Sequence, residues 1–150
     1  MGELRIQLGD RSYRIIVLEN ALDQVGVSLK ELGLSKKCIL VTNSKVGGLY
    51  SQGVLKSLSS QGFHVKKITL EDGEEAKSLH TLEMLYREFL DFGIDRGSAI
   101  LALGGGVVGD VTGFAASTYM RGLPFIQLPT TLLAQVDSSV GGKVAINHSS

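Results

Sequence analysis

Apolar positions along this chain switch between two rhythms, one of period two and one of period 3.6. Residues 3–18 alternate: Leu4, Ile6 and Leu8 point one way, Gly9-Asp10 turns the chain, and Tyr13, Ile15 and Val17 alternate again. That pattern predicts a two-stranded hairpin. From Ala21 to Leu32 the apolar residues Leu22, Val25, Leu29 and Leu32 have helical spacing, with Asn20 as the expected N-cap and Gly33 as the stop. Lys37 to Thr42 is a buried-strand run ending in Asn43-Ser44. A helix is expected over Leu49 to Ser60, closed by Gly62, then a strand from Phe63 to Leu70. The next helix runs from Ser78 to Phe92, with Leu79, Leu82, Leu85, Phe89 and Leu90 on one face and Gly93 behind it. Ala99 to Leu103 is apolar without interruption and reads as a strand buried on both faces. A helix over the uncharged Val111 to Thr118, a short strand over Phe125 to Leu128 and a helix starting near Thr130 complete the chain. Strands alternating with helices predict an α/β fold, a mostly parallel sheet with helices on both faces behind an N-terminal hairpin, in one domain over residues 1–150.

Composition changes this picture little. With 43% hydrophobic and 20% charged residues the chain has an ordinary globular balance. Its formal net charge of zero gives no electrostatic case for nucleic acid or an anionic membrane. No apolar run reaches the length of a transmembrane helix, and no signal-peptide core follows the N-terminus, so the cytoplasm is the expected compartment. The single cysteine, Cys38, lies inside an apolar run and is expected to be core filler. His64, His80 and His148 have no spacing that makes a metal site, and His80 is expected to face solvent.

The chemistry concentrates after the Ala99 strand. Gly104-Gly105-Gly106, then Val107-Val108-Gly109-Asp110, is a glycine turn opening a helix, where main-chain N–H groups and the helix dipole favour an anion. Gly104-x-Gly106-x-x-Gly109 fits the dinucleotide fingerprint of Rossmann folds, a weak signal in a chain with 19 glycines. The acidic residue expected about 20 positions on is missing, and the acid stands directly behind the glycines as Asp110. A glycine turn that only lets a helix pack closely on a strand explains the letters equally well. Gly142-Lys143 is not a Walker A loop, because Val144 follows and position 137 is Asp. In parallel sheets ligands sit at the carboxyl ends of strands. Those ends here are Thr42-Asn43-Ser44, Glu71 to Lys77, Gly104 to Asp110 and Pro129-Thr130-Thr131. Singly, Thr130-Thr131 is also a helix cap and Glu74–Lys77 also a solvated ion pair. Four such loops on one edge favour a polyhydroxy, phosphate-bearing ligand.

Five ordered motifs then carry a resemblance over essentially the whole chain. They are Asp72-Gly73-Glu74-x-x-Lys77, Leu103 to Asp110, Tyr119-Met120-Arg121-Gly122, Leu128 to Ala134, and Val136-Asp137-Ser138-Ser139-Val140-Gly141-Gly142-Lys143. Together they resemble the 3-dehydroquinate synthases, enzymes of the shikimate route to aromatic amino acids. Related sugar-phosphate cyclases and iron-containing dehydrogenases share the glycine loop. The resemblance implies conversion of 3-deoxy-arabino-heptulosonate 7-phosphate to 3-dehydroquinate with release of phosphate, a lyase reaction. It implies tightly held NAD, which transiently oxidises the ring C4 hydroxyl and is restored within each turnover, and one divalent metal, zinc or cobalt.

Residue by residue, it implies that Asp72, Glu74 and Lys77 hold the adenosine ribose and neighbouring groups, and that Gly105, Gly106, Gly109 and Asp110 cradle the pyrophosphate. Thr130 and Thr131 would hydrogen-bond the cofactor, and Asn43 would lie by the adenine. Asp137 and Lys143 would reach substrate groups beside the nicotinamide. Arg121 would cross the interface of a homodimer to the neighbouring subunit's substrate phosphate, where the alternative is an ordinary surface charge. The family's metal ligands, a carboxylate and two histidines, belong to an all-helical second domain with no counterpart in these residues. The expectation is therefore the NAD-binding N-terminal domain of a two-domain enzyme, inactive alone. Val144 stands where the family usually has threonine. The remaining alternatives are another sugar-phosphate cyclase, an iron-type polyol dehydrogenase, or a nucleotide-binding module without chemistry.

Overall fold

A computed structural model describes residues 2–148. Strands β1 (Gly2–Ile6) and β2 (Tyr13–Val17) form an antiparallel hairpin with Leu4 opposite Ile15, as the alternation predicts. The four later strands are β3 (Lys37–Asn43), β4 (His64–Leu70), β5 (Ala99–Gly104) and β6 (Phe125–Pro129). They make one parallel sheet in the order β4-β3-β5-β6.

The unbroken apolar runs are explained by cores on both faces. Cys38 and Leu40 of β3 turn to one side with Leu101 and Leu103 of β5, under Val25 and Leu29 of α1 (Val25–Lys30) and Val54 and Leu58 of α2 (Gln52–Ser60). Ile39 and Val41 turn to the other side with Ile100. There they meet Leu82, Leu85 and Phe89 of α3 (Leu79–Phe92) and Val108, Val111 and Ala115 of α4 (Gly106–Thr118). Cys38 is fully buried, and burial pushes its thiol pKa up to about 12, which suits inert filler.

The route of the chain positions the site. From β3 it passes through α2 to β4, then crosses back over β3 to lay down β5 and β6 on the other side. Right-handed crossovers in opposite directions place α2 on one face and α3 and α4 on the other. The reversal falls between β3 and β5, so a crevice opens at their carboxyl ends. Among the described residues no helix is long and apolar enough to cross a membrane.

Several local expectations need correction. Asn20 does not cap a helix: it is left-handed at φ 57° with no side-chain cap, and the chain first makes a tight turn over Ala21–Gln24. Asparagine tolerates that conformation better than most residues. The helix expected from Leu49 begins earlier. Asn43 caps it by accepting from the Val46 N–H at 2.9 Å, and Ser44–Val46 leads through a π turn over Gly47–Ser51 into α2. Leu79 and Leu90 lie outside the buried face of α3, at 60% and 70% exposure. The last helix shrinks to a short turn capped by the Thr131 hydroxyl, which accepts from the Ala134 N–H, followed by a π turn over Ala134–Ser138.

Candidate functional site

β5 delivers Gly104 to the crevice, Gly105 stands at the N-cap of α4 with no side-chain cap, and the helix starts at Gly106. The first-turn N–H groups of a 13-residue helix therefore face outward without a side-chain acceptor. Bare backbone is required here. A Cβ on Gly104 would come within 2.8 Å of Val108, and one on Gly105 within 3.1 Å of the Thr131 methyl. Gly106 differs: a Cβ there would meet only Ser138, at 3.6 Å, which is ordinary contact. Gly109 already donates its N–H to the Gly105 carbonyl at 3.1 Å, and its bare Cα faces Gln127 of β6.

A cleft of about 370 Å³ lies beside this loop, lined by Asn43, Lys45, Tyr50, Gly105, Gly106, Thr130 and Thr131 among others. Among the described residues Lys45 is its only charged lining residue, so the cleft favours an anion. Val46, Leu49 and Tyr50 form an apolar wall, with Leu49 68% and Tyr50 45% exposed. The Thr130 hydroxyl is buried and has no hydrogen-bond partner among the described residues, although the Thr130 N–H is tied to the Gly104 carbonyl at 3.0 Å. A buried hydroxyl without a partner beside a cleft calls for a polar group, which a ligand or water would supply.

The Glu74–Lys77 turn is not the simple solvated pair that its spacing allows. Lys77 Nζ donates to Asp110 Oδ2 at 2.9 Å, with both side chains largely covered, and lies 3.6 Å from the exposed Glu74 carboxylate. The Asp110 hydrogen bond leads the effects that raise the Lys77 pKa, against an opposing desolvation. A raised lysine pKa keeps the ion pair through neutral pH, and its stabilisation is lost only as pH rises through that pKa. Glu74 is shifted down, first by the Asn147 amide and then by Lys77, so that contact fails only as pH falls through the lowered pKa. Asn147 also donates its backbone N–H to the Lys77 carbonyl at 2.8 Å.

Other expected residues lie further out. Asp72 Oδ1 accepts from the Lys45 N–H at 3.4 Å, joining two loops of the edge. Asp137 and Lys143 pair with each other at 2.5 Å, both well exposed, on the segment whose Ser138 overhangs Gly106. Arg121 is at the opposite, amino-terminal edge of the sheet, in a turn where Met120, Arg121 and Gly122 have φ of 49°, 66° and 117°. Lys45, Leu49 and Tyr50 escaped the sequence reading, because that stretch follows the strand as unremarkable helix. The pair of apolar residues on an outward turn was the available signal. Among the described residues no three His, Cys, Asp or Glu side chains converge as a metal site requires.

Comparison with known proteins agrees with this geometry. A sequence profile for the 3-dehydroquinate synthase N-terminal region matches residues 67–150, more than half the chain. The 3-dehydroquinate synthase of Desulforamulus reducens is 53% identical over 149 residues, covering 99% of this chain and 42% of that protein. The chain thus spans about two fifths of the length of the curated relatives it matches. A 2-deoxy-scyllo-inosose synthase, solved with carbaglucose-6-phosphate, NAD+ and Co2+, superposes with a TM-score of 0.88 at 29% identity over 99% of this chain and 41% of that one. The 2-epi-5-epi-valiolone synthase of Streptomyces hygroscopicus subsp. jinggangensis, with NAD+ and Zn2+ bound, gives 0.81 at 28% identity over 95% and 39%. The profile match over residues 67–150, which include the glycine loop at the switch point, and the 53% identity over nearly the whole chain converge: the chain belongs to the 3-dehydroquinate synthase family.

Proposed function

We propose that these residues form the NAD-binding part of a 3-dehydroquinate synthase, which converts 3-deoxy-arabino-heptulosonate 7-phosphate to 3-dehydroquinate and phosphate in aromatic amino acid biosynthesis. The observation that carries the reading is the cleft at the β3–β5 reversal, with uncapped helix amides and an open buried hydroxyl on one side and an apolar wall on the other. A dinucleotide asks for those features: the diphosphate takes the amides at Gly105 and Gly106, the adenine lies along Val46, Leu49 and Tyr50, and Thr130 satisfies its hydroxyl. Asn43, Asp72 and Thr131 stand within the same edge to orient the sugar groups.

When bound, NAD supplies a reversible hydride acceptor. The chain's own residues do the rest by position and charge. Lys45 offsets anionic charge at the cleft, and Asp110 with Lys77 braces the helix whose N-terminus holds the diphosphate. Asp137 and Lys143, paired to each other here, are the groups we assign to the substrate hydroxyls and carboxylate. Arg121, on the opposite edge from the cleft, fits a role toward a second subunit in a homodimer.

The described residues do not form a metal site, so no step assigned to them passes through a metal. In an enzyme of the relatives' length the zinc or cobalt and, Arg121 apart, most groups that hold the substrate phosphate would lie outside these residues, and this chain alone is expected to be inactive. The test is the full-length protein with NAD, a divalent metal and 3-deoxy-arabino-heptulosonate 7-phosphate. Equal amounts of phosphate and 3-dehydroquinate with no net NADH are expected. Phosphate-free oxidation of an alcohol with stoichiometric NADH would move the protein to the polyol dehydrogenases.

A further inference from the structure

Residues 139–148 have no regular secondary structure, yet they run back from the cleft across α4 as a tethered strap. Near its start the Gln127 amide donates to the Ser139 carbonyl at 3.2 Å, and the Gly141 N–H donates to the Tyr13 hydroxyl at 2.9 Å. At its far end Asn147 bonds the Lys77 carbonyl through its backbone N–H and Glu74 through its side chain. Between these tethers the exposure alternates: Val144 and Ile146 are partly covered, whereas Lys143, Ala145 and Asn147 face outward.

Val144 is seated against Gly113, in the interior of α4. A Cβ at position 113 would lie 2.2 Å from Val144 Cγ1 and 2.8 Å from the Phe125 ring. Glycine disfavours a helix interior, and Gly113 has no positive φ that would demand it. What its bareness permits is the approach of the strap. Because side chains alternate along an extended segment, the seat of Val144 also decides which way Lys143 and Asn147 point.

We propose that Gly113 and Val144 are positioning residues for the site. Their contact sets the register of the strap, and so the placement of Lys143 beside Asp137 and of Asn147 on the Glu74–Lys77 turn. The consequence for turnover rests on the proposed synthase function; the consequence for the strap does not.

The test uses the full-length protein as wild type, Gly113→Ala, and the double variant Gly113→Ala/Val144→Ala, which removes the Val144 methyls, the nearest of the colliding atoms, and leaves the Phe125 ring as the remaining close contact. Amide exchange at Gly141 and Asn147, read by NMR, is expected to quicken at least tenfold in Gly113→Ala and to return towards wild type in the double variant. The same pattern is expected in kcat/KM, with a loss of at least tenfold in Gly113→Ala and recovery to within about threefold in the double variant. Unchanged exchange at both amides in a folded Gly113→Ala protein would overturn the proposal whatever the activity. Equal damage in the single and double variants would also overturn it, since Gly113 would then act through its helix and the Phe125 ring and not through the strap. If the wild type releases no phosphate from the sugar phosphate, the synthase reading fails, and the exchange data still decide the strap.

Discussion

Replacing Gly106 by valine is expected to weaken NAD binding at least a hundredfold while leaving the chain folded. The two effects separate because of the space around this glycine. A Cβ would meet nothing closer than Ser138 at 3.6 Å, and the backbone is not left-handed, so the fold tolerates a side chain. The isopropyl group would instead stand over the first-turn amides of α4, where a diphosphate has to approach the main chain. A hundredfold loss corresponds to about 2.7 kcal/mol, the order expected when charge-assisted hydrogen bonds to an anion are blocked. Calorimetric titration of the variant, with urea unfolding alongside, checks both halves. Unaltered affinity in a folded variant would mean that the loop serves packing alone.

The second large effect concerns Lys77. Changing it to methionine strands the Asp110 carboxylate, which is 22% exposed and has Lys77 as its ion-pair partner at 2.9 Å. Breaking a fully buried pair costs about 3–5 kcal/mol, and partial solvation here lowers the expected loss to about 2 kcal/mol. The loss is expected at neutral pH, because the raised pKa keeps Lys77 charged there, and should shrink as pH rises through that pKa and the wild type loses the pair too. Adding Asp110→Asn removes the stranded charge and should recover about half of the deficit, an order-of-magnitude expectation for a coupled pair. Urea midpoints of the two variants measure this. A Lys77→Met chain as stable as wild type would show the pair to be incidental.

Much of the architecture was legible because both faces of the sheet are covered. The runs at Lys37–Thr42 and Ala99–Leu103 could be read as buried strands from their lack of alternation, and both became central. Local geometry was legible where one residue type has one use, as with Gly33 at φ 67° and Gly93 at φ 77°. It was illegible where tertiary contact overrides spacing. The helix expected from Leu49 starts earlier, and Gly47 sits inside its opening turn, bare because Thr42 occupies the space of a Cβ. Leu79 and Leu90 fit the helical period of α3, yet they stay 60% and 70% exposed.

The site divides in the same way. Chain order marks the strand ends, and so it found Asn43, Gly105-Gly106 and Thr130-Thr131, which line one cleft. Partnerships across the fold were hidden. Glu74 and Lys77 are three apart and look like a pair, whereas the closer partner of Lys77 is Asp110, 33 positions on. The value of Val144 was hidden too, because its significance depends on a bare glycine in a different element.

The most direct test of the central claim is a thermal-shift titration of this chain with NAD, with Gly106→Val as the control. At a hundredfold excess over the dissociation constant, binding adds about 2.7 kcal/mol, a rise in Tm of roughly 5–10 °C for a domain of this size. The account predicts that rise in the wild type and its loss in the variant. A shift that survives in Gly106→Val, or none in either this chain or the full-length protein, would contradict it.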